Sequence, residues 1–227
     1  TLIHLIDPTC KECQPLLYLE QALKQAGVGV TKVESHDYSS SRGKELIAQH
    51  GVTHIPAVLI SKDLEAYPAL MQQLLQTGIV LKKDYYTLQA QVAPYRDLQK
   101  GDVIGRVTLI MLKDDTCTTC YDVTMNRGIL TRFGMVITNQ ETYDVATTSA
   151  KALIEQYKIT KIPAILVSSD AQHYPSFIGA WKSVGTVESD GWHVMRKPEL
   201  LGTYKDLTTG KVVAPQSPKE PAGSPEA

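Results

Sequence analysis

Several common functions are excluded by what this chain lacks. It has no surplus of either charge: 23 Lys and Arg stand against 24 Asp and Glu, a formal net charge of −1. Composition therefore gives no electrostatic reason to expect a nucleic acid or an anionic membrane surface as partner. No apolar run approaches the ~20 residues that a bilayer span requires, so no membrane span is expected in this segment. No Ser, His and Asp arrangement suggests a hydrolytic triad, and "RGKE" at Arg42 lacks the glycine spacing of a phosphate-binding loop. The opening "TLIHLID" carries neither a Met nor a charged leader, which reads as a mature or trimmed product. Cysteine is scarce, with four among 227 residues. None is left over outside two short stretches, and no His stands beside either.

The rest of the composition is that of an ordinary globule. A hydrophobic content of 43% with 21% charged residues can bury a real core, and the length suits two units of about 100 residues each. The last stretch, "APQSPKEPAGSPEA" at 214–227, is rich in Pro, Ser, Gly and Glu. It is expected to be a disordered tail or linker stub.

The two cysteine stretches are "DPTCKEC" from Asp7 to Cys13 and "DDTCTTC" from Asp114 to Cys120, and they belong to an internal repeat. Their first cysteines are 117 − 10 = 107 residues apart. The same offset relates Pro56 to Pro163, Tyr67-Pro68 to Tyr174-Pro175 and Gly78 to Gly185. Residues 1–80 laid on 108–187 without a gap share 28 identities. Further on the copies slip by two, because Tyr95 answers Tyr204 and 204 − 95 = 109. The chain is a duplication with its seam near Gly101 to Arg106, giving units at 1–100 and 107–213.

Each unit alternates strand and helix. "TLIHLI" and "VTLIMLK" are apolar runs suited to strands covered on both faces. "PLLYLEQALKQAG" follows the first CxxC directly as a predicted helix with Leu16, Leu19, Leu23 and Ala26 on one stripe, ending at Gly27. "VGVTKVESHD" and "MVITNQETYD" are predicted second strands, and "RGKELIAQHG" and "TTSAKALIEQYK" second helices. "IPAVLIS" and "IPAILVS" are buried strands entered through a proline. A helical patch and a hairpin close each unit, clearest in "GTVESDGWHVMR" with Asp190-Gly191 at the turn. The order implies an α/β architecture with parallel pairing in the sheet.

A CxxC between strand and helix would put its first sulfur at a helix N-terminus, where free N–H groups and the positive dipole end favour a thiolate. The second cysteine is near enough to close a disulfide on the first. Cys10 and Cys117 are thus candidate nucleophiles, with Cys13 and Cys120 as resolving thiols. Two other readings stand beside this one. The pairs could be purely structural staples in a non-catalytic binding module, although so short a loop stabilises little. Alternatively, the four thiolates could together form a tetrahedral zinc site if the two tips met.

In both units an Ile-Pro heads an apolar strand 46 residues after the first cysteine (56 − 10 and 163 − 117). With the strand–CxxC–helix order, this resembles the thioredoxin superfamily, and two such units resemble the tandem-thioredoxin protein disulfide oxidoreductases, relatives of protein disulfide isomerase. The resemblance implies an α/β fold of two tandem, trimmed thioredoxin-like units, each a central mixed sheet flanked by helices. It implies that Pro56 and Pro163 are cis and face the cysteines. Ile55 and Ile162 would then offer main chain to a substrate peptide. It further implies thiol–disulfide exchange on protein or peptide thiols and disulfides with an external redox partner, and no bound cofactor or metal. This sequence departs from the family pattern in several places. Thr9 and Thr116 precede the first cysteines, and the inner dipeptides are Lys11-Glu12 and Thr118-Thr119. His4 and Met111 stand where a buried carboxylate is usual. An N-terminal strand and helix are missing, and a helix intervenes before the hairpin.

The remaining signals are read mainly as structural. His4 could accept a proton from Cys13, but a lone His in an apolar strand is more often a core residue. Asp7 and Asp114 suit the strand-to-helix turn. Tyr67-Pro68 and Tyr174-Pro175 suit first helical turns. Tyr95 and Tyr204, with the Asp two residues on, read as packing and turn residues. The pairing of every cysteine leans toward an extracytoplasmic location, periplasmic or secreted.

Overall fold

In the computed structural model, which describes residues 1–215, the chain divides into two compact units, Thr1–Arg106 and a second beginning at Val107. The first unit therefore runs past residue 100 to take in the strand at Asp102–Ile104. The expectation of a disordered tail at 214–227 lies, from residue 216 on, outside the described residues.

The first unit contains β1 (Leu2–Ile6), α1 (Tyr18–Gln25), β2 (Val33–Asp37), α2 (Ser41–His50), β3 (His54–Ile55), β4 (Ala57–Ser61), α3 (Pro68–Leu75), β5 (Val80–Lys82), β6 (Tyr85–Gln89), β7 (Tyr95–Asp97) and β8 (Asp102–Ile104). Five strands form a mixed sheet in the order β2-β1-β4-β6-β5. Only β1 and β2 are parallel, and the other pairs are antiparallel. The continuous apolar runs are explained by burial on both faces. Leu2, Val58 and Ile60 pack with Leu19 and Leu23 of α1 and Leu74 of α3. Ile3, Leu5, Ala57 and Leu59 pack on the other side with Leu46 of α2. A second small sheet, β3-β7-β8, brackets the chain just before Pro56.

The second unit repeats the plan with β9 (Arg106–Lys113), α4 (Met125–Arg132), β10 (Val136–Asp144), α5 (Thr148–Gln156), β11 (Lys161–Ile162), β12 (Ala164–Val167), α6 (Pro175–Trp181), β13 (Gly185–Val187), β14 (His193–Met195), β15 (Tyr204–Asp206) and β16 (Val212–Val213). Its five-stranded sheet runs β10-β9-β12-β14-β13, and its small sheet is β11-β15-β16. Two α/β units, each with a five-stranded sheet and flanking helices, are the fold class that the sequence implied. The β13–β14 hairpin turns at Gly191, whose φ of +84° needs a residue without Cβ. Pro68 and Pro175 each open a helix. The hydroxyls of Tyr67 and Tyr174 accept the main-chain N–H of Gly29 and Val136 in equivalent places.

The helices after the CxxC stretches are shorter than predicted. α1 begins at Tyr18, five residues beyond Cys13, and α4 at Met125, five beyond Cys120. In the first unit Pro15 keeps Gln14 out of helical geometry, so no helix runs on directly from Cys13. In the second, Asp122 takes the N–H of Thr124 at 2.9 Å, a side-chain turn that delays the helix in the way Asp commonly does.

Candidate functional site: two disulfide loops held by ion pairs

Each central strand, β1 or β9, delivers its CxxC at its C-terminal end. The sulfurs are joined within each stretch, Cys10 to Cys13 at 2.06 Å and Cys117 to Cys120 at 2.03 Å. No cysteine is free. A zinc site built from the four cysteines has no thiolate available in this state, and among the described residues no cluster of three or more His, Cys, Asp or Glu is placed to hold a metal.

The loop entering each disulfide is built twice in the same way. Asp7 Oδ1 accepts the N–H of Thr9 at 2.9 Å and its hydroxyl at 2.6 Å. Asp114 Oδ1 does the same for Thr116 at 2.9 and 2.5 Å. The turn role expected of both aspartates is therefore present, together with an ion pair that sequence reading missed. Asp7 Oδ2 meets Arg96 Nε at 2.5 Å, and Asp114 Oδ2 meets Lys205 Nζ at 2.6 Å. Burial alone would raise the Asp7 carboxyl, but the Thr9 hydrogen bonds and the Arg96 guanidinium outweigh it and hold the group below its ordinary value. The same balance of burial against Lys205 and Thr116 lowers Asp114. The missed signal was present in "YRD" and "YKD", where a cation sits at the same place in both copies (96 + 109 = 205). The outer Asp97 and Asp206 cap the following turns, accepting the N–H groups of Gln99 and Lys100, and of Thr208 and Thr209.

The Ile55–Pro56 and Ile162–Pro163 peptides are cis, and so is Ala93–Pro94, which nothing in the spacing had marked. Pro163 lines an open cavity of about 270 Å³ together with Cys117, Cys120, Tyr121 and Asp122. Cys120 Sγ lies 3.9 Å from the Ile162 carbonyl oxygen. Tyr121, next to the disulfide, is held neutral because burial pushes its hydroxyl up to about 12.

One expectation needs correction. Neither first cysteine sits at a helix N-terminus, since the helices start too late, and a dipole effect confined to the first turn cannot reach it. In the first unit Cys10 Sγ is met instead by the N–H of Cys13 at 3.1 Å. The side chains of Ile55 and Ile162 are buried, and the two residues stand in register with Arg96 and Lys205 of the small sheets. The two disulfides differ in exposure. Cys10 and Cys13 are only 5% and 6% exposed and pack against Val103 of β8, whereas Cys117 and Cys120 are half-buried.

The His4 imidazole is buried in β1 with Nε2 unbonded, and burial lowers its pKa. It belongs to the core, as Met111 does at the equivalent place in β9.

No family model matches the chain, and no curated protein matches it in sequence. Among solved structures it is similar to a protein disulfide oxidoreductase from Aeropyrum pernix k1. That match has 12% identity over 73% of this chain and 75% of the other, with a TM-score of 0.21.

Proposed function

We propose that the protein is a thiol–disulfide oxidoreductase acting on protein or peptide substrates, with Cys117 and Cys120 as its working pair. The observation that carries this reading is the half-buried Cys117–Cys120 disulfide, which faces an open cavity with Pro163 on its wall. In the oxidative direction a substrate thiolate attacks Cys117 Sγ and the Cys117–Cys120 bond breaks. Cys120 leaves as a thiolate and takes a proton, and the Ile162 carbonyl 3.9 Å away is placed to accept a hydrogen bond from that thiol. A second substrate thiolate then attacks the substrate sulfur of the mixed disulfide. This forms the substrate disulfide and releases Cys117, with two electrons now held by the CxxC. An external redox partner reoxidises the pair, and the reverse sequence reduces substrate. Cys10 and Cys13 carry the same chemistry once exposed. Ile162 and Ile55, each preceding a cis proline beside its disulfide loop, would offer main chain to a peptide substrate. The confinement of every cysteine to a disulfide supports an extracytoplasmic setting.

Insulin reduction with dithiothreitol tests the reading. Cys117→Ser is expected to remove most of the catalysed rate, and Cys10→Ser a smaller part. If the double variant reduces insulin as fast as the parent, the disulfides are static and the proposal fails.

A further inference from the structure

The two disulfides sit on equivalent loops, yet they are covered differently. In the first unit Val103 of β8, 7% exposed, is clustered with the buried Cys10 and Cys13. Just beyond it, Arg106 Nη2 reaches back to Glu12 Oε2 at 2.9 Å, and Glu12 lies between the two cysteines. The carboxylate is itself 3.8 Å from Cys10 Sγ. The Arg106 hydrogen bond holds the Glu12 carboxyl below its ordinary value, so this carboxylate is charged and paired at neutral pH. Among the described residues, the second unit has the strand without the cover. By the 109 offset Val103 answers Val212, which is 50% exposed. Arg106 answers Pro215, and Glu12, by the 107 offset, answers Thr119. Neither of these equivalent residues carries a charge, so the Glu12–Arg106 pair has no counterpart among the described residues.

We propose that the Asp102–Arg106 segment is a releasable cover over Cys10–Cys13, latched by Glu12–Arg106. The resting protein then presents one open disulfide and one guarded disulfide. The inference rests on the disulfide-exchange reading for its biological meaning, but the guarding is a property of the chain itself. Two features make the cover releasable rather than permanent. The latch is a single, partly exposed ion pair, with Arg106 side chain 40% and Glu12 29% exposed, and such pairs stabilise weakly. Arg106 Nε is buried without a hydrogen bond, so the guanidinium is incompletely satisfied when closed. Opening exposes Cys10 to an attacking thiolate and releases Glu12 from Arg106.

The test follows reduction of the full chain by dithiothreitol, with quenching by alkylation and peptide mass mapping of each pair. One dithiothreitol thiolate breaks a disulfide and forms a mixed disulfide. Its second thiol then displaces the protein sulfur, leaving two cysteine thiols and oxidised dithiothreitol. Arg106→Ala and Glu12→Gln are each expected to raise the rate at Cys10–Cys13 about threefold, the scale of a partly exposed pair. Arg106→Lys keeps the charge and is expected to remain near the parent rate. Val103→Ser changes no charge and is expected to raise the rate about tenfold by withdrawing a buried apolar group. In every variant Cys117–Cys120 serves as the internal control and should not change. The proposal is overturned if the latch and cover variants leave the ratio of the two rates at the parent value. It is equally overturned if both pairs accelerate together, which would signal general loosening. The readout concerns the chain's own disulfides, so failure to turn over insulin would sink the proposed function without touching this result.

Discussion

Arg96 and Lys205 tie each disulfide loop to the last hairpin of its own unit, and the energetic weight of that tie depends on what is left behind when it is cut. The Asp7 side chain has no exposed surface, and its partner Arg96 is 16% exposed. Arg96→Met keeps the aliphatic stem but strands a buried carboxylate, which costs about 2 kcal/mol for a hydrogen bond to a charged group. Urea titration should show that loss in the first unit, and Asp7→Asn combined with Arg96→Met should recover part of it because no charge is then stranded. A second residue-scale prediction concerns pH. Burial lowers the His4 imidazole, so the unfolded chain takes up a proton there more readily than the folded one. Stability from this group is complete above the ordinary histidine pKa of about 6.5 and is lost as pH falls through it. His193 is buried, with burial lowering it in the same way. The melting temperature should therefore drop between pH 7.5 and 5.5, and His4→Met, the residue that β9 carries at this place, should flatten the fall. An unchanged slope in that variant would show that His4 is not among the groups responsible.

Among the elements, α2 and its counterpart α5 show how one plan tolerates different packing. Gly43 lies where α2 crosses the end of β2, and a Cβ there would stand 2.0 Å from the Asp37 carbonyl oxygen. The equivalent residue in α5 is Ala150, fully buried. Gly43→Ala gains helix propensity of up to about 1 kcal/mol but must push the helix from the strand, a strain typically worth about 1–3 kcal/mol. The expected outcome is net destabilisation by about 1 kcal/mol, measured by thermal or urea unfolding, and a stabilised variant would mean that α2 shifts freely. Strands and helices of this kind were legible in the sequence because their apolar periodicity reports burial directly: "TLIHLI" and "IPAVLIS" are buried on both faces and read that way. The delayed starts of α1 and α4 were not, because Pro15 and Asp122 act locally against an otherwise helical run. The site divides along the same line. The cysteines and cis prolines carry their own spacing. The Asp7–Arg96 and Glu12–Arg106 pairs join residues separated by 89 and 94 positions, and only the fold brings them together.

At the scale of the whole molecule, the catalytic reading places a demand on stability: both units must remain folded when their disulfides are open. The covalent contribution is small enough to allow it. Each bridge spans a sequence separation of 3, and closing so short a loop is worth only about 2 kcal/mol on the chain-entropy account, against about 4.7 for a loop of 100 residues. The main cores do not depend on sulfur. In the first unit they are the clusters around Leu19, Leu23 and Tyr86 and around Leu5, Leu46 and Leu59. In the second, Leu112, Tyr157, Leu166 and Val194 pack together. Both cysteines of the first unit instead sit in a separate small cluster with Val103. Full reduction should therefore leave the far-ultraviolet circular dichroism spectrum in place and lower the melting temperature by no more than roughly 10 °C. The larger change is expected where Val103 loses its packing against the joined sulfurs. Hydrogen exchange should quicken across Asp102–Ile104 and hold steady in β1, β4 and β6. A chain that unfolds on reduction would instead identify the two bridges as staples, since a redox centre has to survive both halves of its own cycle.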